Sequence, residues 1–261
     1  RSSDLKWLLI FLPLVAQAQV GSITELRGIG EVVRQDTTDS LTAELELGIA
    51  SYDDVRTGNG RLAISFLDDS ILRLTEHSKI IIDEYVFDPD PSKGKLAIRM
   101  ASGTARFLTG ILGKIDKSNI RITTPTAVIG LRGTDFAVSV DEIGRSLVIL
   151  LPDALGFASG QITVDSLAGQ VVLTRPFQAT MVSVSESPPT RPVILANMTL
   201  AFIDNLLIVS PPDEITEAVE EQSGTVSNIL DVDLLEETEL DESEIDEDAL
   251  DDEIGRLDID L

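Results

Sequence analysis

One histidine, two carboxylate pairs and one arginine set between glycines are the residues of this chain whose types and spacing bear on chemistry. His77, the only histidine, follows Glu76 beside a predicted strand start, and there it reads as a turn residue rather than a catalytic base. A Ser-His-Asp triad would have to recruit it, yet the G-x-S-x-G elbow that presents a serine nucleophile is missing. Gly133-Thr134-Asp135 holds the aspartic-protease triplet only in reverse order, which carries no weight. Gly58-Asn59-Gly60 and Gly130-Leu131-Arg132-Gly133 are not followed by a helix and lysine, so neither reads as a phosphate loop. The chain has no cysteine, which removes thiolate metal sites, disulfides and a lipid attachment point together. The expectation is a protein with no catalytic residues, no cofactor and no dedicated metal site.

The remaining charged residues invite a structural and a functional reading. Asp53-Asp54 and Asp68-Asp69 are rich in oxygen but lack the ligand spacing of a calcium loop. They read as turn carboxylates that cap local backbone N–H groups. Arg132 sits in an otherwise apolar corner. Its guanidinium either satisfies carbonyls freed by that corner, pairs with a carboxylate such as Asp54, or meets a partner.

The elements that must position these groups are read best from Ile120 to Leu151. Ile120 and Ile122 alternate into Thr124-Pro125, where proline ends the strand or places it at an edge. A second apolar run, Ala127 to Ile129, stops at the glycines around Arg132, which predict a bulge or corner. Thr134, Phe136, Val138 and Val140 then alternate with Asp135, Ala137 and Ser139, the period of a half-buried strand. A hairpin turn at Asp141 to Gly144 returns the chain as a buried strand over Leu147 to Leu151.

The spacing T-P-x-A-x-x-G-x-R-G-T-x-F, carried by Thr124, Pro125, Ala127, Gly130, Arg132, Gly133, Thr134 and Phe136, resembles the signature of the FecR domain family. Upstream, Gly48, Asp54-Val55, Thr57-Gly58, Leu62, Ile64, Phe66, Asp68-Asp69-Ser70, Leu72, Leu74 and Ser78 are similar to the first half of the same domain. The family's acidic turn reads D-G-S, and Asp69 stands here in the glycine's place, so a different turn type is expected. The resemblance covers residues 45 to 150 closely and 151 to 185 loosely. It implies a periplasmic module that binds a protein or senses a signal, with Thr124, Pro125, Gly130, Arg132, Gly133, Thr134 and Phe136 as motif and partner residues. Full-length regulators of the family add a cytoplasmic segment that restrains a sigma factor and a membrane-spanning helix. This sequence shows neither, and the expectation is that only the periplasmic part carries over.

Around this stretch the chain divides by composition. Arg1 and Lys6 precede an apolar run from Trp7 to Val15, and Ala16-Gln17-Ala18 offers the small residues of a signal peptidase site. Residues 1–18 therefore read as a signal peptide, with an apolar run about half as long as a membrane span requires. Residues 19–187 consist of short apolar or alternating runs, from Ile29–Val33 to Phe177–Val184, separated by turn signals such as Gly58-Asn59-Gly60 and Ser102-Gly103. The predicted fold is all-β, a two-sheet sandwich or a short solenoid-like stack. A proline-rich connector and one helix over Val193–Val209, within residues 188–210, are expected to follow.

Residues 211–261 hold 21 acidic residues against the single basic Arg256, which is a net −20 of the chain's −25. They are expected to form a disordered acidic tail that binds divalent cations weakly, while the mildly acidic body is not expected to bind nucleic acid. The predicted function is an exported, non-enzymatic binding module in the periplasm or beyond a Gram-negative-type envelope, with an envelope protein as partner and no membrane span after cleavage. The competing class is a surface protein with a β scaffold and a cation-binding tail.

Overall fold

The computed structural model describes residues 19–35, 37, 39–86, 93–115, 119–196, 198–199 and 212–223. The chain divides into two units, residues 1–219 and 220–261, and the architecture that follows is that of the first. Its strands are β1 (Gln19–Val33), β2 (Ser40–Thr42), β3 (Gly48–Ala50), β4 (Asp54–Phe66), β5 (Ile71–Leu74), β6 (Lys79–Val86), β7 (Lys95–Leu108) and β8 (Ile120–Thr123). They continue as β9 (Val128–Arg132), β10 (Asp135–Val140), β11 (Ser146–Leu150), β12 (Gln161–Asp165), β13 (Gln170–Leu173), β14 (Gln178–Val182) and β15 (Val193–Ile194). A short helix, α1 (Ile111–Ile115), follows β7, and a second, α2, spans residues 213–223. The prediction of an all-β fold holds.

All fifteen strands join one hydrogen-bonded sheet, and three long strands fold it over on itself. Residues 54–56 of β4 pair with β6, whereas residues 62–65 pair with β5. Likewise β7 pairs with β6 and β8 along its first half, then with β5 and β10 along its second. One layer thus runs through β4, β6, β7, β8, β9, β12 and β13, and the other through β4, β5, β7, β10, β11, β14 and β15. The β7–β8 pair is parallel, which needs a crossover rather than a hairpin, and α1 lies in that connection.

The fold line is set by residues without side chains. Gly28 faces Gly60 across β1 and β4, and a Cβ on Gly28 would lie 2.1 Å from the Asn59 carbonyl oxygen. Gly103 bends β7 with φ of +89°, and a Cβ there would lie 2.4 Å from the Cα of Ser78. The turns expected at Gly58-Asn59-Gly60 and Ser102-Gly103 are therefore bends inside continuous strands. A bend and a turn demand the same residue types, so the spacing cannot separate them.

Hydroxyls line the same fold. The Ser78 N–H donates to Thr57 Oγ1 at 2.8 Å and the Thr104 N–H to Ser78 Oγ at 3.1 Å, while the Thr104 and Ser139 hydroxyls lie 2.9 Å apart. These bonds satisfy backbone groups where the ladder is interrupted.

Both layers share one core. Ile80, Ile82, Ile98, Ile122, Ile129 and Ile162 come from one, and Leu72, Leu74, Phe107, Phe136, Val138 and Val148 from the other. Fully burying each such side chain stabilises the fold by roughly 1.5–3 kcal/mol. A second cluster covers the other face of β10, β11 and β14, where Ala137, Leu147, Ile149, Ala179 and Met181 meet Leu151, Leu195 and Ile215. It explains why every residue of β10 is buried, not the alternate ones expected of a half-buried strand.

Two boundaries differ from expectation. Val193–Ile194 pairs with β14 as a strand, so the helix expected from Val193 does not start there, and residues 200–209 lie outside the described residues. Helix occurs instead at 213–223, inside the segment expected to be disordered. Pro212 opens it, with its carbonyl accepting from the Ile215 and Thr216 N–H groups, and Asp213 and Glu214 suit the positive end of its dipole. Ile215, Ala218 and Val219 fall on one face. The remainder of that segment, like residues 1–18, lies outside the described residues.

Candidate partner-binding site

The motif residues serve first to close the fold. The four residues Thr124 to Ala127 form the β8–β9 hairpin: the Thr124 N–H donates to the Ala127 carbonyl at 2.8 Å, and the Ala127 N–H returns to Thr124 Oγ1 at 2.9 Å. Pro125 occupies the exposed tip against Gly144 of the β10–β11 turn. Ser146 Oγ lies 2.7 Å from both the Thr124 and Thr126 hydroxyls, which ties the two hairpins together.

The expected corner is narrower than the glycine pair implies. Gly130 lies in the middle of β9, paired with Arg121 and Thr163, with open space where a side chain would point. The reversal occurs at Gly133, whose φ is +56° and whose N–H donates to the Gly113 carbonyl at 2.7 Å. Arg132 ends β9 with its side chain exposed. It does not pair with Asp54, whose carboxylate takes Arg56 at 2.6 Å and Lys79 at 3.4 Å.

Thr134 is 1% exposed, and its hydroxyl has no partner among the described residues. Phe136 reaches the core beside Phe107, ring centres 5.8 Å apart and tilted by 53°. Between them Asp135 points to the opposite face, where Arg106 of β7 clasps its carboxylate.

The first carboxylate of each pair acts as the turn reading expects, whereas Asp54 lies in β4 and binds Arg56 and Lys79 instead. Asp53 is buried against Arg34 and accepts the Ala50 N–H at 2.7 Å. Asp68 accepts from the N–H and hydroxyl of Ser70 and from the Leu112 N–H, so it holds both its own turn and the start of α1. Asp69 takes φ of +64°, the left-handed region that favours glycine. Tyr85 stacks on Phe66 near this turn, and burial pushes its phenol well above the ordinary value, reinforced by Asp68. His77 occupies a turn with φ of +54° and donates its N–H to the Gly58 carbonyl. Among the described residues no three His, Asp or Glu side chains converge to hold a metal ion.

Two clefts adjoin Arg106. One of about 600 Å³ lies between Ile111 and Lys114 of α1, Gly133, Thr134 and the Pro152-Asp153 loop. The other, of about 700 Å³, lies over β1, β4, β5 and β7 and is lined by Arg27, Arg61, Arg73 and Arg106. Arg106 belongs to both. Of these, sequence reasoning singled out Gly133 and Thr134 but none of the four arginines, which lie far apart in the chain and meet only through strand register. Among the described residues no helix is long and apolar enough to cross a membrane.

No curated protein sequence matches the chain. Two crystal structures of proteins from Parabacteroides distasonis ATCC 8503, provisionally described as anti-sigma factors, are similar in fold at 15% and 14% identity, with TM-scores of 0.44 and 0.40. The matches cover 57% and 52% of this chain and 63% and 57% of those, so the chain spans less than two thirds of their length. Residues 53–152, from the buried Asp53 through the Asp68 turn and the Thr124 hairpin to Pro152, match the family model described as FecR protein, and over that stretch this chain carries a FecR domain.

Proposed function

We propose that the chain is exported and acts as a non-enzymatic binding module in signal transduction, recognising another protein of the cell envelope. The FecR domain over residues 53–152 is the observation that carries this reading. Thr124 of its motif, with the intervening Thr126 and Asp135, is consumed in holding the fold, which leaves partner contact to Pro125, Arg132 and the cleft-lining residues. Export rests on Ala16-Gln17-Ala18, and cleavage after Ala18 would keep every described residue of β1 in the mature chain.

Two measurements test the proposal. Mass spectrometry of the protein from an exporting host should show a mature chain beginning at Gln19, and an intact Trp7 in the exported product would refute the cleavage. Deleting the gene should change the transcript levels of a restricted gene set in the native host. An unchanged transcript profile would turn the reading to the surface-protein class. The charge of residues 231–261, sixteen carboxylates against Arg256, favours that class in one respect, because such a segment attracts divalent cations.

A further inference from the structure

Four arginines share one exposed sheet face in a chain where acidic residues outnumber basic ones by 45 to 20. Arg27 of β1 lies directly opposite Arg61 of β4, and Arg73 of β5 directly opposite Arg106 of β7. Ala63, two residues along β4 from Arg61, faces Arg73 and completes a row over four adjacent strands. The neighbouring Leu26, Leu62, Leu72 and Leu74 pack in the core, so alternation turns the arginines outward.

Like charges placed directly opposite on neighbouring strands oppose folding, and two such pairs side by side do so twice. Two carboxylates offset part of this. Glu25 meets Arg73 at 3.1 Å in an exposed pair worth little in water, and Asp135 accepts from Nε and Nη2 of Arg106. Arg27 is exposed and pairs with no carboxylate among the described residues. Arg27 therefore stands as an uncompensated cation beside a cleft of about 700 Å³, and Leu45, 62% exposed, stands on its rim.

We infer that this arginine row is the docking face for a short acidic segment of a partner protein, with carboxylates interleaved by aliphatic side chains. The inference rests on the reading of the chain as a protein-binding module and names the chemistry of what it binds. Guanidinium forks match carboxylates in geometry as well as charge, and strands about 4.8 Å apart present them at close intervals. Leu45 gives aliphatic side chains a surface. A long polyanion such as a nucleic acid is disfavoured, because residues 1–210 carry a net −5 even with these arginines, whereas a short peptide needs only local complementarity.

The test uses the full chain and a fluorescein-labelled peptide of repeated Asp-Asp-Leu, read by fluorescence anisotropy. Saturable binding is expected that weakens as salt rises from about 50 to 300 mM, and that disappears when asparagine replaces aspartate in the peptide. Arg27→Glu and Arg73→Glu should each weaken it by about tenfold or more, while Arg121→Glu, on β8 of the other layer, should not. Circular dichroism and melting separate loss of binding from loss of fold, and Arg27, exposed and unbonded, is the variant least bound to stability. Equal binding by wild type and Arg27→Glu would overturn the inference. So would preference for inorganic polyphosphate of equal charge, or binding that appears only once residues 224–261 are removed, which would assign the face to the chain's own acidic segment. None of these outcomes would alter the transcript test above, so the two readings fail separately.

Discussion

Arg106 grips Asp135 across β7 and β10 with one edge of its guanidinium, Nε at 3.0 Å from Oδ1 and Nη2 at 2.7 Å from Oδ2, and the pair lies between the two clefts. The two side chains are 18% and 10% exposed, so neither charge is fully hydrated once its partner is removed. Asp135→Asn should cost about 1–3 kcal/mol, seen as a lower urea midpoint at unchanged slope. Arg106→Met in the same chain should recover part of that loss, because it removes the stranded cation. A cost below about 0.5 kcal/mol for Asp135→Asn would mean that the pair is solvated like an ordinary surface bridge.

The bend in β7 gives a second test. Gly103→Ala places a Cβ within 2.4 Å of the Ser78 backbone at a φ of +89°. Conformational strain alone costs about 1–3 kcal/mol, and the clash adds to it. Gly130→Ala is the control, since nothing lies within 4 Å of its Cβ position, and it should change stability by no more than about 0.5 kcal/mol. Equal melting temperatures for the two variants would show that the fold line does not depend on Gly103.

These glycines also show how far the sequence could be read. Strand β8 was legible because Ile120 and Ile122 alternate up to the breaker Thr124-Pro125, and β5 and β13 are likewise short runs between turn residues. The long strands were not, because Gly58-Asn59-Gly60 and Ser102-Gly103 punctuate β4 and β7 as a loop would. The motif from Thr124 to Phe136 was legible as a unit, though its Arg132 turned out exposed rather than sequestered in a corner. The arginine row was invisible, since its members become neighbours only through the pairing of β1 with β4 and of β5 with β7.

Tyr85 predicts an alkaline dependence. In the unfolded chain a phenol ionises near pH 10.0, whereas burial holds Tyr85 protonated to higher pH in the native state. Above pH 10 the unfolded chain therefore sheds a proton that the native chain retains, and stability falls as pH rises toward the native value. Below that window the group adds no pH dependence. Tyr85→Phe should remove this component, at most about 1.4 kcal/mol per pH unit, from urea unfolding measured between about pH 9 and 11. Parallel curves for the two proteins would show that the phenol ionises alike in both states.

The acidic C-terminal segment was expected to bury nothing, and α2 changes that expectation for its first residues. Ile215 is fully buried against the outer face of β10, β11 and β14, among Leu147, Ile149, Leu151 and Met181, and Glu214 accepts the Ala196 N–H at 3.0 Å. Counting carboxylates hid the spacing of Ile215, Ala218 and Val219, which is that of a helix with one apolar face. Ile215→Ala should cost about 2–4 kcal/mol through lost burial and the cavity left behind. Glu217→Ala, at an exposed position of the same helix, should stay within about 0.5 kcal/mol of wild type. The comparison separates docking from helix formation, since alanine favours a helix at either position. If both variants melt with wild type, α2 contributes nothing to the second core, and the burial of Ala137, Leu147 and Ile149 must be maintained by Leu195 and the residues around β15 alone.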